Sequence, residues 1–318
     1  MNDVRKKMLK ERVGFCSSCD KNYGSYKSSR REDYNYRYAK YIPDILKNSC
    51  IETNTKQKII YMDLRLSNVC NLSCRMCFSE SSTSRREIDR LLGKKVYDVV
   101  DDTWEFSNII ANIDYVEELY FAEPLLDKNF ERLIDIIAQK GIQKNITLRI
   151  NTNLVLLTDE LLKKIKKFKK VFFIVSCDYE KKYEYIRIGA KWNAFVKNLV
   201  KVAKNVHDMN NSTVCVVAVA QITNLYSLFD LYKLCKKLRI AFSYNILEFP
   251  KNMNIGILDK EEKAKIIAFY KVNTKDEAAI EKFDMLIQYL NSSTYDQKLF
   301  QSYLNETKII DKHFLEKR

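Results

Sequence analysis

Six short apolar runs recur along the chain, most of them followed by a longer segment of helical periodicity, and this alternation limits the possible folds more than any other feature. The runs are Ile59 to Ser67, Tyr115 to Phe121, Ile146 to Asn151, Lys170 to Ser176, Thr213 to Gln221 and Ile240 to Leu247. VFFIV and VCVVAVA are almost continuously apolar, as strands covered on both faces are, and this predicts a parallel sheet. Between the runs, FERLIDIIAQK from Phe130, ELLKKIKKF from Glu160, KWNAFVKNLVKVAKNV from Lys191 and LYSLFDLYKLCKKL from Leu225 carry apolar residues at helical spacing. The chain is therefore α/β, as a doubly wound sheet or a partial (β/α)6 TIM-like barrel.

Two flanks break the alternation. Residues 1–55 are basic, rich in tyrosine and hold Cys16, Cys19 and Cys50, an N-terminal extension to a core at 56–258. Residues 259–318 read as a C-terminal helical extension, with AAIEKFDMLIQYL the strongest stretch. The longest purely apolar run, Val214 to Ala220, is far too short to span a bilayer, so no membrane is expected. A charged N-terminus without an export signal and an odd count of nine cysteines point to a cytoplasmic protein with reduced thiols or metal ligands. The net charge of +14 permits RNA, acidic peptides or an acidic redox protein as partners and selects none of them. LLKKIKKFKK from Leu161 sets its six lysines mostly opposite an apolar stripe, which reads as a solvated helix face.

VCNLSCRMCFSESS, Val69 to Ser82, gathers Cys70, Cys74 and Cys77 at the end of the first strand, and in (β/α) barrels that face carries the chemistry. A zinc ion would want a fourth ligand, yet the chain has only His207 and His313, and the next cysteine is Cys177. Three thiolates suit an iron–sulfur cubane with one iron left open to a ligand that is not protein.

The C-x3-C-x2-C spacing resembles the radical S-adenosylmethionine (SAM) superfamily, and LSNVCNLSCRMC is similar to its twitch-domain branch. YFAEPLLD, Tyr120 to Asp127, resembles the family's Gly-Gly-Glu-Pro segment, with Phe121 and Ala122 where two glycines are usual. INTN, VSCD and YIRIGAKW resemble the segments that follow strands three and four. The resemblance implies a radical SAM barrel with a short cysteine-containing N-terminal extension and C-terminal helices. It also implies a [4Fe–4S] cluster on Cys70, Cys74 and Cys77, with SAM chelating the free iron. On its terms Glu123 meets the SAM ammonium, Ser176 and Arg187 the ribose or carboxylate, Asn151 and Asn153 supply polar contacts, and Met76 packs near the adenine. Cys16, Cys19 and Cys50 are candidates for a second metal site, fewer than an auxiliary cluster normally needs. The implied partners are a low-potential electron donor such as flavodoxin or ferredoxin, and a substrate for which a peptide or protein is the family-level expectation. The residues leave open two alternatives: a non-catalytic iron–sulfur or zinc protein that binds nucleic acid, and radical SAM modification of RNA.

Overall fold

The computed structural model describes residues 30–41, 43, 58–98, 106–209 and 212–315. Cys16, Cys19 and Cys50, and with them the second metal site expected from the sequence, lie outside the described residues. The chain divides into two compact units, Met1–Gln57 and Lys58–Arg318. In the first, helix α1 (Arg30–Arg37) is short and carries an Asp33–Arg37 pair one turn apart.

The second unit holds six parallel strands: β1 (Tyr61–Leu64), β2 (Glu118–Ala122), β3 (Thr147–Thr152), β4 (Lys170–Ser176), β5 (Thr213–Ala220) and β6 (Ala241–Ile246). Each pairs with the next in sequence, so their spatial order is their chain order. A doubly wound sheet would reverse its order at a switch point. The consecutive order selects the partial barrel, with β1 and β6 as its edges among the described residues.

Helices α2 (Arg86–Leu91) and α3 (Phe106–Asn112) follow β1, and α4 (Lys128–Gln139) and α5 (Asp159–Ile165) follow β2 and β3. Next come α6 (Glu180–Ile186) and α7 (Trp192–His207) after β4, then α8 (Ser227–Leu238) after β5. Three more helices, α9 (Lys260–Asn273), α10 (Glu277–Ser292) and α11 (Gln297–Leu315), complete the unit. Several start where a side chain can satisfy a free amide. Asp127 accepts from the Asn129 amide at 2.8 Å, and Thr158 accepts from Leu161 at 3.1 Å, a contact worth about 1 kcal/mol. Among the described residues no helix is long and apolar enough to cross a membrane.

The two apolar runs that read as doubly covered strands are in fact two-faced. In β4, Val171, Phe173 and Val175 are fully buried while Phe172, Ile174 and Ser176 are half-buried, and β5 repeats the pattern with Val216 and Ala218 against Cys215 and Val217. The buried face is the one the helices cover: Phe121 of β2 meets Phe130 of α4 edge-on at 4.7 Å. The opposite, inner face carries the Glu118–Arg149 ion pair at 2.5 Å, with the Arg149 guanidinium 4.1 Å from the Phe172 ring centre. Nearer the C-terminal ends of the strands it carries the row Tyr120, Asn151 and Ser176. An apolar run thus marked a strand correctly but did not distinguish a covered face from one lining a lumen.

Candidate functional site

The strand ends supply the site. After β1 the chain enters the cysteine loop, which is stitched to the segment following α6: the Ser73 amide donates to the Ile188 carbonyl at 2.9 Å and the Arg75 amide to Ile186 at 2.8 Å. That approach depends on Gly189, whose φ of 96° disfavours any side chain and where a Cβ would lie 3.3 Å from the Asn71 carbonyl oxygen. Serines tie the loop to the turn that follows it. Ser82 Oγ donates to the Leu72 carbonyl at 2.7 Å and Ser84 Oγ to that of Cys70 at 2.6 Å.

Cys74 is buried, while Cys70 and Cys77 are half-buried. Burial pushes all three thiols up, Cys74 to about 12, so a thiolate at any of them calls for a cation beside it. Two buried arginines contribute positive charge. Arg85, 1% exposed, donates to the Cys74 carbonyl at 3.0 Å and pairs with Asp89 at 3.1 Å, and its charge also acts on Cys77. Arg187 acts on Cys70 and Cys74. Among the described residues no group of three His, Cys, Asp or Glu side chains is placed to hold a metal ion. A cubane gives each thiolate its own iron, so the three-thiol donor set with cationic neighbours fits a cluster.

Glu123 terminates β2 in the left-handed region, φ 48° and ψ 52°, and its amide donates to the Asn151 carbonyl at 2.7 Å. Its carboxylate accepts from the Thr152 hydroxyl at 2.9 Å and from the Asn153 amide at 2.7 Å. Two bonds leave a carboxylate further lone pairs, enough for an ammonium group. Burial raises the Glu123 pKa, against the lowering effect of those two donors and of Arg187. Phe121 and Ala122 leave the strand regular: Phe121 is buried on the helix side, Ala122 pairs with Asn151, and the unusual backbone falls on Glu123 instead.

The other expected contacts divide. Asn151 and Ser176 face the lumen, Ser176 Oγ donating to Asn151 Oδ1 at 3.3 Å and Asn151 Nδ2 to the Tyr120 hydroxyl at 3.1 Å. Met76 is half-buried against the core. Asn153 is 4% exposed and spent on protein: Nδ2 donates to Asn71 at 2.9 Å and lies 3.9 Å from Cys70 Sγ, while Oδ1 accepts from the Val155 amide at 3.0 Å. Arg187, also 4% exposed, pairs through Nε with fully buried Asp178 at 2.9 Å. Asp178 accepts a further bond from Asn224. Burial works against the Arg187 charge, but its neighbours, Asp178 foremost among them, together outweigh burial and raise its pKa.

Sequence reasoning missed Thr152, Asn71, Arg85 and Asn224 as parts of this site. Thr152 sits inside the quoted INTN and Asn71 inside the cysteine motif, so a rule that neighbours of a motif orient it would have found both. Nothing local marks Asn224, which is 46 positions from its partner.

A parallel partial barrel with a three-thiol loop and a carboxylate at its C-terminal edge is the architecture of an iron–sulfur enzyme. Residues 64–225, just over half of the chain, match the Radical SAM superfamily, and the chain belongs to it. It is a family of enzymes whose cofactors are a [4Fe–4S] cluster and SAM. No curated protein matches the chain. Among solved structures it is similar to native anSMEcpe with bound AdoMet, at 18% identity and a TM-score of 0.47, over 74% of this chain and 62% of that one. It is also similar to TYW1 with a lysine-pyruvate adduct bound, at 11% identity and a TM-score of 0.36, over 68% and 71%. The chain thus spans less than two thirds of the length of the first of these.

Proposed function

We propose that this chain binds one [4Fe–4S] cluster through Cys70, Cys74 and Cys77 and cleaves SAM reductively, and that it belongs to the twitch-domain branch of the family. When bound, the cluster and SAM together supply a 5′-deoxyadenosyl radical that takes hydrogen from a substrate. The observation that carries the reading is Asn153. Its backbone amide fixes Glu123 while its side-chain amide reaches Asn71 and approaches Cys70, so the acid and the cysteine loop are held to one residue.

In this reading Glu123 receives the SAM ammonium on the lone pairs left by Thr152 and Asn153. Asn151 and Ser176 offer an amide and a hydroxyl to the ribose from the inner face, and Met76 offers a polarisable thioether to the adenine. Arg187 serves as a fixed positive charge beside the thiols. The half-buried lumen, with Phe172, Ile174 and Val217 beside Asn151 and Arg149, suits a peptide or protein side chain as the hydrogen donor. Arg90 in α2, the helix that follows the cysteine loop, and Lys95 just beyond it lie exposed and suit an acidic flavodoxin or ferredoxin, whose docking would weaken with salt.

Anaerobic reconstitution followed by iron, sulfide and 5′-deoxyadenosine measurement with dithionite tests the reading. The triple alanine variant at Cys70, Cys74 and Cys77 should lose both the iron and the nucleoside product. Full iron content in that variant would show that the cluster sits elsewhere.

A further inference from the structure

Arg75 lies between Cys74 and Cys77, yet its side chain turns away from the thiols. It is 6% exposed, donates through Nε to the Tyr185 carbonyl at 2.7 Å and stacks 3.7 Å from the Tyr185 ring centre. Its Nη2 reaches Asp311 of α11, a residue 236 positions away, and the Tyr185 hydroxyl donates to the second oxygen of the same carboxylate at 3.2 Å. Helix α11 makes two further bonds to the chain after β1, Lys94 to Glu306 at 2.7 Å and His313 with Glu87 at 2.9 Å. Its other side rests on the turn Lys251–Met253 that follows β6, and Ile310 is buried beneath it. The helix therefore spans the loops of the two edge strands.

We propose that Asp311 is a positioning residue for the cluster loop, so that docking of the C-terminal helix and correct placement of Cys74 and Cys77 form a single equilibrium. The inference rests on the cluster assignment above. Its physical basis is the cost of a buried cation without a counter-ion: once Asp311 is gone, Arg75 retains one carbonyl and one ring, and its charge must seek water. Asp311 is itself partly exposed, so water enters where its carboxylate stood, and a guanidinium held by mobile water in place of a fixed counter-ion frees the loop whose backbone carries it. Arg85, just before α2, and Asp89 within it hold the same loop, but both are local to it, whereas Asp311 ties it to the C-terminal helix.

The test uses the full chain, first without cluster. In Asp311→Ala, hydrogen exchange at the Arg75 amide, which is bonded to Ile186, should rise about tenfold, the loss expected for a charge-assisted contact. Asp311→Asn, which keeps the shape, should give a smaller rise and guards against misfolding of the alanine variant. Lys308→Ala, exposed on the same helix, should exchange as wild type. After reconstitution, Asp311→Ala should lose iron to a chelator about fivefold faster, by the same weakening of the loop, and its reduced cluster should show altered EPR g values. Wild-type exchange at Arg75 in both Asp311 variants overturns the proposal. So does faster exchange with unchanged iron loss and EPR, which would make the helix mere packing. A wild-type chain that takes up no cluster but whose variants still show the exchange response would fault the cluster assignment and uphold the coupling of loop to helix.

Discussion

Two carboxylates stand at the same rim of the barrel and differ in what they have left to give. Asp178, just past β4, is fully buried, with Arg187 on one oxygen and Asn224 on the other. Glu123, just past β2, is half-buried and accepts from one hydroxyl and one amide, neither of them charged. The first is a closed ion pair, and its geometry serves the fold by fixing α6 against the strands. The second is held in place by neutral donors and keeps its negative charge uncompensated by a direct partner, the state a cationic ligand requires. Rim position alone does not make a residue functional; the difference lies in whether its charge has already been answered.

The comparison breaks first at Asp178. Asp178→Asn leaves Arg187 buried without its counter-ion and should cost about 3 to 5 kcal/mol of stability. Urea unfolding of the cluster-free chain reads this directly as a lower midpoint. A midpoint equal to wild type would mean that the pair is not the structural one.

Glu123→Gln should do the reverse, sparing the fold and the iron content while weakening SAM by about 1.5 to 3 kcal/mol, roughly ten- to a hundredfold in affinity. The same site gives a pH signature. Burial raises the folded-state pKa of Glu123, so its carboxylate is lost on acidification before that of an exposed glutamate. Wild-type SAM affinity should therefore fall as pH drops, by up to about tenfold per unit below that pKa, and the glutamine variant should be flat over the same range. Calorimetric titration with SAM at several pH values distinguishes these, and parallel curves for the two proteins would remove Glu123 from the ligand site.

Gly189→Ala is the smallest of the three. A side chain at φ 96° costs about 1 to 2 kcal/mol, and its Cβ would crowd the Asn71 carbonyl on the cysteine loop. Thermal unfolding should drop by a few degrees and iron uptake should fall with it. A drop in stability with intact uptake would show that the loop tolerates displacement.

Much of the fold was legible because parallel strands leave a strong local trace. β4 falls at the residues expected, Lys170–Ser176, and β5 ends one residue early. β2 starts three residues later than its apolar pattern suggested, since Tyr115 closes a 3-10 turn and is half exposed to solvent. The consecutive strand order was not legible, because alternation is shared by doubly wound and barrel folds. In the site, ordered motifs identified the rim, but residue roles depended on orientation. Asn153 and Arg187 were expected to reach a ligand, yet both side chains are buried among protein partners. Asp311 and Arg75 were invisible as a pair, since nothing in a linear pattern joins positions so far apart.

The left-handed backbone at Glu123 bears on which residues could replace it. That conformation is easiest for glycine and after it for asparagine and aspartate, whereas for glutamate it costs about 1 to 2 kcal/mol. Conformational preference and chemical need therefore pull apart at this position. Aspartate would suit the backbone better but is one methylene shorter, and it would have to give up Thr152 or Asn153 to extend as far toward the lumen. Glutamate is the acid long enough to keep both donors and still present its carboxylate beyond them, and it does so from a backbone torsion that disfavours it.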